Sequence, residues 1–320
     1  IAEIHAEYLS KNGSALSLND FHEFNAELVE PIKANISKAV LYNLPAPTQG
    51  ISSLMILALF DRMRDLKLDS FDHLHSLIEI TKNVFLKRNE ELGDPKYMAS
   101  NVQSWLDEDV LDALSSDIDS TAAMPWPYNP NKGDTVWIGA VDREGTAVSF
   151  IQSVFWEFGS GLVCPNTGVF FQNRGAGFSL RPGPNQLLPR KKPFHTLNPA
   201  LALFNDGRKM VYGAMGGDGQ PQTQSAIFSR YAYFNCDIQR AISLPRWLLG
   251  KTWGQMGTTL KLEARFDSNL IEKLKAVGHN VEILPDYSDL VGHAGALILN
   301  KDGLIEGASD PRSDGSAVIF

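Results

Sequence analysis

The spacing of apolar residues predicts that the chain begins with helices. Apolar side chains recur at helical intervals over residues 52–66, 71–86 and 102–114. Ser17 is followed three positions later by Asp20, which is the pattern of a helix start. The first 120 residues are therefore predicted to be mostly helical.

The pattern changes at residues 120–134, a proline-rich stretch that predicts a loop. Residues 135–142 and 147–155 are rich in β-branched and aromatic side chains and flank a short turn, which predicts a hairpin. Further strands are predicted at 168–172, 209–213, 295–299 and 303–308, and further helices at 222–234 and 268–276. Helices followed by mixed strands and helices indicate an α+β or layered α/β protein.

Composition and charge exclude a few classes of function. The 320 residues are 43% apolar and 21% charged, which is typical of a globular chain with a substantial core. The net charge of −8 argues against nucleic acid or an anionic membrane surface as a partner. No apolar run is long enough to span a bilayer. Two cysteines, Cys164 and Cys236, are too few for a disulfide framework, so the cytoplasm is the default compartment.

The common cofactor motifs are missing from the sequence. It contains no Walker-type GxxxxGK[ST] phosphate loop, no GxGxxG after a strand, and neither HExxH nor CxxC. His73 and His75 stand two positions apart in a helical stretch, so they are expected to point to different sides and to make a poor metal pair. Nucleotide binding therefore has no support in the sequence. The chain opens inside a helical pattern without Met, which predicts that an upstream part of the gene product is missing from it.

One junction between loop and strand, Gly133-Asp134-Thr135, is a candidate for chemistry. A threonine that opens a strand is most often only a strand former. Residue type alone therefore favours a structural role for Thr135.

Longer motifs around this junction resemble the γ-glutamyltranspeptidases. GDTVWIGAVDREGTAVSFIQSVFWEFGSG, residues 133–161, followed by TGVFFQNRGAGFS, is similar to the start of their small subunit. The similarity continues upstream in LPAPTQGISSLMIL and RNEELGDPKY, and downstream in KKPFHTLNPAL, GAMGGDGQPQTQ, LPRW and EGASDPRSDG. It covers nearly the whole chain, with the motifs in order.

The resemblance implies the fold of the N-terminal-nucleophile hydrolases, a four-layer αββα sandwich of the α+β class. Residues 1–134 would be the C-terminal part of a large subunit, and residues 135–320 the small subunit. The two parts of one precursor would form a single domain. An upstream extension of the precursor is also implied.

The resemblance also implies roles for four residues. Self-cleavage between Asp134 and Thr135 would make Thr135 the nucleophile, with its own α-amino group, of pKa about 7.7–8.0, as the base. Ser153 matches a hydroxyl residue near the nucleophile, although the transpeptidases have threonine there. Gly216 and Gly217 match the pair whose N–H groups form the oxyanion hole.

Departures from the transpeptidase pattern concern the substrate. Gly177 replaces the acidic residue that holds the substrate α-amino group, and Phe155 replaces an asparagine. Arg174 replaces a glutamine, and His195-Thr196 replace a pair of serines. Losing a carboxylate and gaining a guanidinium favours a substrate with a small carboxylate. Arg174 in a structural ion pair, or on the surface, is the alternative.

This combination looks most like the oxamate amidohydrolase branch, which hydrolyses oxamate to oxalate and ammonia. The resemblance thus implies acyl transfer from a small amide without a metal or organic cofactor. A γ-glutamyl hydrolase or transferase, a cephalosporin-type acylase, and an inactive scaffold relative remain alternatives. The expected partners are the small-molecule amide and the two subunits of the precursor, and a homodimer is left open.

Overall fold

A computed structural model of the protein describes residues 1–126, 135–250 and 257–320. The first part contains five helices and two strands: α1 (Ala2–Lys11), α2 (Leu18–Glu23), β1 (Ile32–Asn35), β2 (Ala39–Asn43), α3 (Gly50–Phe60), α4 (Phe71–Glu91) and α5 (Glu108–Ser116). As predicted, Ser17 precedes a helix, and its N–H and hydroxyl groups donate to the Asp20 carboxylate.

The rest of the described chain alternates strands and helices. The elements are β3 (Val136–Val141), β4 (Ala147–Gln152), β5 (Ala200–Phe204), β6 (Lys209–Ala214), α6 (Gly219–Ala232), α7 (Ile238–Ser243), β7 (Trp247–Leu249), β8 (Leu260–Glu263), α8 (Ser268–Ala276), β9 (Val281–Leu284), β10 (Ala294–Leu299) and β11 (Ile305–Ser309).

A six-stranded antiparallel sheet in the order β1-β2-β5-β6-β10-β11 forms the centre of the molecule. Strands β3 and β4 pair as a separate hairpin. A third sheet, β7-β8-β9, contains one parallel pair, β8 with β9, whose connection is α8. A parallel pair needs such a crossover, because a tight turn can only join antiparallel strands.

The two faces of the six-stranded sheet carry different layers. Side chains alternate across a strand, so the even-numbered residues of β6 share one face. On that face Tyr212 stacks on Phe228 of α6, with ring centroids 5.7 Å apart. The opposite face, which includes Gly213, lies under the β3–β4 hairpin. Helices, sheet and hairpin are thus stacked in layers, and the predicted α+β sandwich is confirmed.

Trp137 fixes the hairpin on the sheet. A Cβ atom added to Gly213 or to its cross-strand partner Gly295 would lie 2.1 Å or 2.6 Å from the Trp137 ring. Only a residue without a side chain leaves room for the indole there. The ring nitrogen donates to Ser149 Oγ at 2.9 Å, across the hairpin.

Helix α3 is the centre of the core, and all eleven of its residues are buried. A helix that is apolar on every side must be covered on every side, and α3 contacts β1, α4 and α6. None of the described helices combines the length and the apolar character that a membrane span requires. Both cysteines are buried and unpaired.

The predicted element boundaries needed corrections. The helix expected over 52–66 ends at Phe60, and Asp65 has a φ of 56°, which a right-handed helix cannot contain. Residues 168–172 are not a strand, and Phe170 only forms an isolated bridge with Val163. The mostly helical first 120 residues also contain β1 and β2, which were not predicted.

Candidate active site

The β3–β4 hairpin positions Thr135 and Ser153. The last residues in register are Val136 and Gln152, so Thr135 precedes β3 directly opposite Ser153, which follows β4. Both residues are half-buried. Asp134, the predicted residue before the cleaved bond, lies outside the described residues.

The direction of β3 decides what lies near Thr135. At the hairpin turn, a Cβ atom on Gly145 would lie 3.7 Å from Lys209 at the start of β6, whereas Trp137 lies over Gly213 near the end of β6. Between the hairpin turn and Thr135, strand β3 therefore runs alongside β6 towards the C-terminal end of β6. Thr135 is thus directed towards the loop after β6.

That loop contains Gly216 and Gly217, which are buried and have φ values of 120° and 53°. Their carbonyl groups accept from Gly219 N at 2.7 Å and Gln220 N at 3.2 Å, at the start of α6. In a planar trans peptide the N–H points opposite to the carbonyl, so the Gly217 N–H is directed away from the helix. Within the described residues neither glycine N–H donates a hydrogen bond.

Arg174 is a buried cation that forms no ion pair with any other described residue. Its side chain is 5% exposed, and its guanidinium carbon lies 4.0 Å from the centre of the Phe155 ring. One nitrogen donates to Thr196 Oγ1 at 3.4 Å, and the other two make no hydrogen bond within the described chain. Burial lowers the pKa of Arg174 to about 9, so the group is still charged at neutral pH. The alternative of a surface position is wrong, and Arg174 forms no ion pair with another described residue.

Phe155 connects Arg174 to the hairpin. It has a φ of 57°, an unusual conformation for a bulky residue, and its N–H donates to Ser153 Oγ at 3.0 Å. Asn173 N donates to Val154 O at 2.7 Å, which holds the Arg174 loop against the end of β4. The stacked pair is therefore attached to the end of the hairpin that carries Thr135.

His195 lies beside this cation and is uncharged. Burial, and secondarily the Arg174 charge, lower the pKa of His195 to about 3. Its Nδ1 accepts from Leu197 N at 3.2 Å. An uncharged imidazole leaves Arg174 as the positive charge here.

Gly177 lies beside Arg174. A Cβ atom at Gly177 would lie 3.6 Å from Arg174 Cδ and 3.8 Å from its Nη1, and it would also lie 3.3 Å from the Phe194 carbonyl oxygen. An acidic side chain at this position would therefore reach the guanidinium. Gly177 and Arg174, which both depart from the transpeptidase pattern, thus lie side by side. An acidic residue at position 177 would neutralise the charge of Arg174.

Two buried residues that connect the cation to the glycine loop, Gln49 and Arg88, were not predicted from the sequence. Gln49 Nε2 donates to Thr196 O at 2.7 Å and to Gly217 O at 2.8 Å. Gln49 Oε1 accepts from Arg88 at 2.9 Å, and Arg88 forms two hydrogen bonds with Asp218, at 3.1 and 3.2 Å. The motifs LPAPTQG and RNEELGDPKY contain Gln49 and Arg88, but no local pattern gives them a partner.

A second buried polar cluster lies elsewhere and has donor atoms suited to a metal. His75, Glu79 and His279 place one such atom each within 4.8 Å of one another. His75 Nδ1 lies 2.9 Å from His279 Nε2, and Glu79 holds Lys82 at 2.7 Å. The side chains of this cluster thus form hydrogen bonds with one another. His73 is bonded separately to Ser229, as expected for two histidines on different sides of a helix.

Known proteins resemble this chain in both sequence and fold. Residues 1–320 match the family described as Gamma-glutamyltranspeptidase. The chain is 48% identical over 323 residues to the oxamate amidohydrolase proenzyme of Klebsiella pneumoniae, covering 100% of this chain and 61% of that protein. It is 38% identical over 321 residues to the glutathione hydrolase-like YwrD proenzyme of Bacillus subtilis, covering 99% of this chain and 61% of that protein.

Among solved structures, the cephalosporin acylase from Bacillus halodurans superposes with a TM-score of 0.87 at 29% identity. The match covers 98% of this chain and 57% of the acylase. The chain thus spans about three fifths of the length of the proteins it matches.

Proposed function

Because the chain belongs to the γ-glutamyltranspeptidase family, we propose that it forms the catalytic part of a self-processing amidohydrolase with Thr135 as nucleophile and a small anionic amide, oxamate, as substrate. The buried guanidinium of Arg174 carries the proposal. Isolated buried charges are costly unless they are paired, and a substrate carboxylate would supply the missing partner. The similarity to an oxamate amidohydrolase proenzyme supports the same substrate.

The proposed reaction is a two-step acyl transfer. The Thr135 hydroxyl attacks the amide carbon while the α-amino group of the same residue takes its proton. The N–H groups of Gly216 and Gly217 stabilise the negative oxygen of the tetrahedral intermediate. The C–N bond then breaks, the amine leaves as ammonia with the transferred proton, and an ester to Thr135 remains. Water hydrolyses that ester and releases oxalate.

The proposed maturation uses the same hydroxyl. Thr135 Oγ attacks the carbonyl carbon of Asp134, the peptide C–N bond breaks, and water hydrolyses the resulting ester. The products are a chain ending at Asp134 and one beginning at Thr135. Ser153, directly after the adjacent strand β4, provides a second hydroxyl near the new N-terminus.

The substrate proposal is tested by removing the cation. Hydrogen bonds to charged groups contribute roughly 1.5–3 kcal/mol, so Arg174→Gln should lower kcat/KM for oxamate by roughly 10- to 150-fold. Pyruvamide, an uncharged amide of similar size, is the matched control and should lose little. Equal losses on both amides would make Arg174 structural, and unchanged kinetics would remove it from the site.

The same assays separate the alternatives. A γ-glutamyl enzyme would cleave γ-glutamyl anilides, but Gly177 offers the α-amino group of such a substrate no acidic side chain at that position. An acylase would prefer larger acyl groups, and an inactive relative would release ammonia from none of these amides.

A further inference from the structure

We propose that Gln49 is a positioning residue that sets the distance between the cation and the oxyanion loop. It would thereby restrict the enzyme to amides whose carboxylate is bonded directly to the scissile carbonyl. This inference rests on the proposed function. It adds a structural reason why the carboxylate and the scissile amide of the substrate would have to be directly bonded.

One nitrogen atom holds both sides of the site. Gln49 Nε2 donates to Thr196 O at 2.7 Å and to Gly217 O at 2.8 Å. The two backbone oxygens can therefore be no farther apart than twice a hydrogen-bond length. Thr196 contacts Arg174 through its hydroxyl, and Gly217 supplies a proposed oxyanion N–H, so the bridge ties the anion side to the oxyanion side.

The bridge is rigid because Gln49 is itself held in place. Its Oε1 accepts from Arg88, and Arg88 is paired with Asp218, the residue directly after Gly217. The Arg88 guanidinium also lies 3.9 Å from the centre of the Phe85 ring. A flipped amide would direct oxygen at two carbonyls and nitrogen at a guanidinium, so this ring of contacts permits one orientation.

The length of the acceptable substrate follows from this spacing. In oxamate the carboxylate carbon is bonded to the scissile carbonyl carbon. Malonamate and succinamate insert one and two methylenes, each adding a bond of about 1.5 Å. With the guanidinium and the oxyanion loop held at a fixed separation, the longer acids cannot place both groups correctly. A γ-glutamyl group, with still more atoms between carboxylate and amide, is excluded for the same reason.

The test compares three acids in wild type and in Gln49 variants of the mature full-length protein. Gln49→Met keeps the side-chain volume and removes the bridge. A misplacement of about 1 Å can cost on the order of 100-fold in rate, so kcat for oxamate should fall about 10- to 100-fold, with KM changed much less. The preference for oxamate over malonamate in kcat/KM should fall by at least about tenfold.

A second variant and a control variant distinguish loss of the Gln49 bridge from misfolding of the protein. Gln49→Glu keeps the shape and the bond from Arg88 but cannot donate to the carbonyls, and it should also lose the chain-length preference. Gln224→Met removes comparable buried hydrogen bonds, to Asn198 and Ser53, without touching either side of the bridge. It should keep the preference.

The outcomes separate the two proposals. A wild type that prefers oxamate, with both Gln49 variants keeping that preference, would overturn the role of Gln49 alone. A wild type that releases ammonia from none of the three acids would overturn the proposed function, and this inference with it.

Discussion

At the scale of single residues, the site is distinguished by a buried positive charge with which no described residue forms an ion pair. Arg174 is stacked on Phe155 and contacts Thr196, and the neighbouring His195 is neutral. Gly177 adds no side chain that could compensate the charge. This arrangement is the basis of the proposal that the site binds the carboxylate of a substrate.

Restoring an acid beside this cation should block the anion. In Gly177→Asp the new carboxylate would pair with Arg174, because a Cβ atom there already lies within 4 Å of the guanidinium. We expect kcat/KM for oxamate to fall by about tenfold or more, as for loss of a charged hydrogen bond, and pyruvamide hydrolysis to change less. Steady-state kinetics on both amides measure this, and unchanged oxamate hydrolysis would contradict it.

The same cation predicts a pH dependence. A guanidinium loses its charge as pH rises through its pKa, which burial lowers to about 9 for Arg174. The value of kcat/KM for oxamate should therefore decline above about pH 9, whereas the profile for pyruvamide should lack this decline. His195, with a pKa of about 3, should contribute no step between pH 5 and 8. Parallel profiles for the two amides would refute the assignment.

Sequence could predict the members of the site more easily than the contacts among them. The resemblance singled out Thr135, Ser153, Gly216 and Gly217, and the structure places Thr135 opposite Ser153 and directs it towards the glycine loop. Gln49 escaped prediction because its partners are far away in sequence: Arg88 is 39 residues distant and Gly217 is 168. No local pattern records such a contact.

At the scale of elements, the β3–β4 hairpin is the part that carries Thr135, the proposed nucleophile. It was predictable because alternating β-branched and aromatic residues on two runs with a short turn form a local signal. Strand β2 was missed because one of its partners is β5, about 160 residues later, with Ala39 opposite Phe204. Pairing of that kind is decided by the fold as a whole.

Gly213, which lies beneath the Trp137 ring, should not tolerate the addition of a single methyl group. In Gly213→Ala the new Cβ would overlap the indole, and overpacking of this kind costs about 1–3 kcal/mol. We expect a lower free energy of unfolding in urea and slower maturation, because the hairpin that carries Thr135 is displaced. Gly175→Ala is the control, since a Cβ there meets nothing within 4 Å. Equal stability of the two variants would show that Trp137 does not fix the hairpin.

At the scale of the whole molecule, both sides of the predicted cleavage point build one structure. Strands β1 and β2 precede residue 134, and β2 pairs with β5, which follows it, in the same sheet. Gln49 and Arg88, also from the first part, support the glycine loop of the second. If the chain is cut between these parts, the two fragments should stay associated.

The most direct test of the central claim is N-terminal sequencing of the fragments from the purified full-length protein, wild type and Thr135→Ala. The claim predicts that the wild type yields a smaller fragment that begins Thr-Val-Trp-Ile-Gly, and that the variant stays uncut at this bond. A Thr135→Ala protein that still matured between residues 134 and 135 would contradict Thr135 as the nucleophile.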